Sequence, residues 1–72
     1  MTKTERLQVM INNIDSNIAD NGIKVGYYEY LATLETDEKL SASWKVEADK
    51  IKVDIENLQK SMANLKGYQA TL

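Results

Sequence analysis

Trp44, Ala48, Ile51, Ile55, Leu58, Met62 and Leu65 follow one another at steps of four, three, four, three, four and three residues. An apolar seven-residue repeat held over three heptads confines those side chains to one helix face, which must be covered by another helix. The stretch I-K-V-D-I at 51–55 alternates as a half-buried strand does, but only the heptad continues to Leu65. The segment therefore reads as a coiled-coil helix over about residues 37–66. Thr36 is placed to cap its start, with Asp37 and Glu38 in the first turn and Ser41 or Ser43 as later alternatives. Glu56 and Lys60 form an acid-then-base pair one turn apart. Gly67 is expected to close the helix, leaving residues 67–72 as a short tail.

A matching seam lies near the start of the chain. Leu7, Ile11, Ile14 and Ile18 step by four, three and four, which gives a helix over about 4–20 capped by Thr2 or Thr4. D20-N21-G22 then supplies the strongest stop signal in the sequence, because Asn and Gly tolerate the left-handed closure of a helix. The following stretch is ambiguous. Ile23, Val25 and Tyr27 alternate like a strand, whereas Ile23, Tyr27, Tyr30, Leu31 and Leu34 fit a helical stripe. A lone strand in a helical chain has no edge to pair with, so 23–35 is read as helix. The fold class is all-α: a helical hairpin or a three-helix arrangement with a long C-terminal coiled-coil helix, in one domain spanning 1–72.

With Ile51 at heptad position d and Ile55 at a, the first helix takes the same frame, Leu7 at d and Ile11 at a. Antiparallel pairing then sets e against e, bringing Asp15 toward Lys52 or Lys66. The first seam is too short to cover the second, so the Tyr-rich segment or another chain must cover the remainder. Val46 and Val53 fall at f, directly opposite the seam, as Val9 does on the first helix. These valines, with Tyr27, Tyr28 and Tyr30, suggest a second contact face. Three tyrosines within four residues point in different directions around a helix, and tyrosine is favoured at interfaces.

Size makes partners matter. A chain of 72 residues is near the lower limit for a single stable core, and such chains usually add a disulfide, a metal or a partner. Cysteine and histidine are both absent, which removes disulfides and the ligands structural zinc prefers. Self-association or another protein is the remaining source of stability. The two halves differ in charge. Residues 1–38 carry three basic residues against seven acids, a balance of −4, and residues 39–72 carry six lysines against four acids, a balance of +2. Such halves attract each other, within one chain or head to tail between chains.

The same residue counts argue against most chemistry. General acid–base and nucleophilic catalysis most often draw on histidine or cysteine, and no phosphate-binding glycine motif or calcium loop occurs, so no enzyme, cofactor or small-molecule substrate is expected. Lys45, Lys52, Lys60 and Lys66 could face nucleic acid, but acids interleave them and the isoelectric point is about 5.0. No apolar run reaches the roughly 20 residues of a membrane span, and M-T-K-T-E-R-L lacks the apolar core of a signal peptide. A cytoplasmic location, or a place in an intracellularly assembled particle, is expected. The arrangement resembles small helical hairpins that dimerise into four-helix bundles, such as plasmid copy-control RNA-binding hairpins. That resemblance is of architecture alone and transfers no residue roles. Small cysteine-free chains rich in Lys, Asn and Ile are common among phage and mobile-element products. The expected function is a non-catalytic interaction or assembly protein, with an RNA- or DNA-binding hairpin dimer as the alternative.

Overall fold

In the computed structural model, which describes residues 1–72, the chain forms two helices of nearly equal length and no strand. These are α1 (Lys3–Leu34) and α2 (Glu38–Ala70), folded back on each other as an antiparallel hairpin. The three-helix arrangement expected as one alternative does not form, and α2 is not the long member of an unequal pair.

The expected turn at 20–22 is absent because the heptad frame runs straight through it. Counting on from Ile18 at a, the frame puts Asn21 at d, Val25 at a, Tyr28 at d and Ala32 at a. Ala32 is buried, and the other three are partly buried. No residue adopts a positive φ, so Asn21 and Gly22 make no left-handed closure. A glycine inside a helix costs about 1 kcal/mol relative to alanine. That is less than the apolar burial gained by continuing the helix through Val25, Tyr28 and Ala32, and tertiary packing of this kind dominates helix stability.

Gly67 likewise fails to end α2. It falls at f, facing away from the seam, while Gln69 beyond it falls at a. The Gln69 side-chain amide donates to the Gln8 side-chain oxygen at 3.1 Å and to the Thr4 carbonyl at 3.4 Å, anchoring the last turn of α2 on the first turns of α1. Thr71 then closes the helix, its hydroxyl donating to the Tyr68 carbonyl at 2.7 Å.

Side chains satisfy the other helix ends. Thr2 caps α1: its hydroxyl accepts from the Glu5 N–H at 3.1 Å and donates to the Glu5 carboxylate at 3.1 Å. Asp37, rather than Thr36, Ser41 or Ser43, caps α2, accepting from the N–H groups of Lys39 and Leu40 at 2.8 and 3.2 Å. A carboxylate there also meets the positive end of the helix dipole, which a hydroxyl exploits less. Ser41 instead donates its hydroxyl to the Ala32 carbonyl at 2.8 Å, tying the two helices together across the short connection between them.

The result is a narrow rod of 53 × 16 × 11 Å. Its radius of gyration is 16.4 Å, against about 11 Å for a compact domain of this length. Two helices cannot enclose a seam between them. Only Leu7, Ile11, Ala32 and Ala48 are buried, and the other seam residues remain open at the two broad faces of the hairpin.

Candidate interaction surface

The inner seam uses every residue of the sequence-derived frame. Leu7 and Ile11 are buried, and Ile14 and Ile18 are partly buried beside them on α1. On α2, Ala48 is the most enclosed residue of the chain at 1% exposure, with Trp44, Ile51, Ile55, Leu58, Met62 and Leu65 partly buried along the same face. Tyr28 does not belong to a second face. It occupies position d, and its ring stacks on Trp44 with centroids 5.5 Å apart and planes 17° from parallel. With Val25 and Ala32 it covers the stretch of α2 that a short first helix would have left bare.

The outer face is a different matter. Ile23, Tyr27, Tyr30 and Leu34 step by four, three and four, and in the frame of α1 they fall at f, c, f and c, opposite the seam. Their exposures are 72, 59, 60 and 60%. The stripe is a second heptad seam with nothing on it. No charged residue occupies a c or f position between Ile23 and Leu34; Asp20 bounds the stripe at one end and Asp37 lies beyond the other. Leu40 at the start of α2 is also 51% exposed.

On α2 the outer edge is mixed. Val46 and Val53 are 52 and 54% exposed, but Lys39, Lys50 and Lys60 share their c and f positions. Val9 on α1 is similarly exposed and isolated between polar neighbours. Sequence reasoning assigned Tyr27 and Tyr30 to a second face and grouped Ile23 and Leu34 with them only as a helical stripe. Their own spacing carried the signal. Reading it required the frame of the first helix to be extended across Gly22.

Charge pairing between the helices follows the e-to-e rule with partners other than those expected. Lys52 bonds Glu29 at 3.0 Å, and Asp15 pairs with neither Lys52 nor Lys66. Extending α1 to Leu34 fixes a register in which Glu29, not Asp15, lies beside Lys52. The bond to the Glu29 carboxylate and its charge hold the Lys52 ammonium above the usual lysine range. Lys52 also approaches Asp49 at 3.8 Å, and Lys50 approaches Glu47 at 3.4 Å, whereas Glu56 and Lys60 form no pair. All these groups are well exposed, where ion pairs add little stability.

On one broad face the hairpin carries an open groove of about 420 Å³, lined by Asn17 and Asn21 from α1 and Asp54, Asn57, Leu58 and Ser61 from α2. It forms where Asn21 replaces an apolar residue at d. Its lining offers amides and a hydroxyl but no cation, and no base beside the serine beyond one carboxylate. No group of three or more acidic side chains converges to hold a metal ion, and no helix is long and apolar enough to cross a membrane. No protein-family model, curated protein or solved structure matches the chain.

Proposed function

We propose that this protein is a non-catalytic interaction or assembly protein that works by docking the outer face of its hairpin. The observation that supports this reading most is the Ile23–Tyr27–Tyr30–Leu34 stripe, a contiguous apolar seam left uncovered in the isolated chain. Aromatic, charge-free patches of this sort are characteristic of interface centres. The inner seam builds a rigid platform, and the outer seam presents tyrosines whose hydroxyls keep a polar handle at the interface. Composition of the kind seen in small phage and mobile-element proteins suits a particle component or a modulator of a host protein. The nucleic-acid alternative draws less support, since Lys52 is engaged by Glu29 and acids stand among the remaining lysines.

Photo-cross-linking from positions 27 and 30 in the native cell tests the proposal. A photoreactive residue at either position should give a discrete covalent adduct with a protein, while the same residue at Ser16, farther along the same face, should not. A folded chain that gives no protein adduct from 27 or 30 would overturn it.

A further inference from the structure

We infer that the partner on this stripe is a second copy of the chain, and that two α1 helices pack antiparallel across a two-fold axis. Ile23 then meets Leu34 of the second copy, and Tyr27 meets its Tyr30. The inference rests on the proposed docking role of the stripe and names its occupant.

Area comes first. The chain exposes 5386 Å². A compact monomer of 8.2 kDa exposes about 4,530 Å². The excess, about 850 Å², is close to the roughly 800 Å² that each partner buries in a stable interface of standard size. One interface of ordinary dimensions therefore brings the chain to the surface expected of a folded protein of its mass.

Between the two outer edges of the hairpin, charge decides. The α2 edge sets Lys39, Lys50 and Lys60 in one row with Val46 and Val53. Burying Lys50 between the valines, with only its pair to Glu47 at 3.4 Å beside it, would carry a desolvation cost. The α1 stripe has no charged residue at its c and f positions; Lys24 stands beside it at g, and Glu29 turns to Lys52 at e.

The order of residues points to self-pairing. Ile–Tyr–Tyr–Leu is nearly palindromic in size about the midpoint between Tyr27 and Tyr30. An antiparallel pair of copies thus sets aliphatic against aliphatic and ring against ring in every layer. Such a two-fold contact closes on itself, whereas docking the α1 edge on the α2 edge of the next copy would build open chains.

The sequence contains no cysteine, so single-cysteine variants are clean probes. Ile23→Cys and Leu34→Cys, mixed and treated with a short thiol-reactive cross-linker, should give the mixed dimer as the dominant product over either self-product. A dominant Ile23→Cys self-product would overturn the antiparallel arrangement. Preferred capture of Val46→Cys or Val53→Cys would overturn the choice of face. Sedimentation of the unaltered chain guards against a cysteine variant that fails to associate: it should show twice 8.2 kDa at micromolar concentration. A monomer at every concentration would overturn the second-copy inference. If position 27 still captured another protein in the cell, the docking role itself would stand. Loss of both would remove the two together.

Discussion

Asn21 shows how much a single position decides. It stands at d, where every other α1 residue from Leu7 to Tyr28 at a or d is apolar, and it opens the groove shared with Asp54, Asn57 and Ser61. A polar residue in a coiled-coil seam trades stability for register. Asn21→Leu is expected to raise stability by about 1–2 kcal/mol through the apolar area it buries, measured by urea unfolding. A loss of stability would show that the amides of the groove hold each other. Ala48 marks the opposite limit, because at 1% exposure it leaves no room for growth. Ala48→Leu should cost about 1–3 kcal/mol by overpacking. Asp37→Ala should cost about 1 kcal/mol by removing the cap of α2, while Thr36→Ala should change little. Lys52 adds a sign that can be checked. Its raised folded-state pKa means that its contribution is complete below the ordinary lysine pKa and is lost only as pH climbs through the raised value. Unfolding curves at neutral and mildly acidic pH should therefore show no titration from this group. Which tyrosine faces which way was legible only once the frame was known, since Tyr27, Tyr28 and Tyr30 look alike in isolation.

The elements themselves were partly legible. The seams of both helices, their antiparallel pairing and the absence of sheet all follow from spacing, because a heptad repeat leaves a chain few ways to bury its apolar face. The length of α1 did not follow. D20-N21-G22 carries local chemistry that ends helices, and local preference lost to a seam whose next residues, Val25 and Tyr28, were masked by the alternation Ile23, Val25, Tyr27. Gly67 misled for the same reason, since the anchor beyond it is a hydrogen bond from Gln69 to residues at the far end of the sequence. Gly22 and Gly26 now sit within a continuous helix, and a Cβ added at either meets no atom within 4 Å. Gly22→Ala and Gly26→Ala should each stabilise the hairpin by about 1 kcal/mol, raising the melting temperature by about 4–8 °C. A fall in melting temperature for either would show that the helix bends or opens there.

As a whole molecule the hairpin is a platform rather than a container. It encloses four residues, leaves one seam half covered and presents another with nothing on it. The unequal charge of the two halves, −4 and +2, is used within the chain at Glu29 and Lys52, so it need not drive copies head to tail. What the sequence concealed at this scale was extent: the second face was sought at Val46 and Val53 on α2 and at Tyr27, Tyr28 and Tyr30 on α1, and the contiguous exposed apolar stripe lies on α1 alone. Sedimentation equilibrium of the wild type beside Tyr27→Glu/Tyr30→Glu puts this to the most direct test. The wild type should sediment at twice 8.2 kDa, and the variant should be a folded monomer with unchanged helix content, since neither tyrosine belongs to the inner seam. A wild type that stays at 8.2 kDa at high micromolar concentration, or a double variant that still associates, would contradict it.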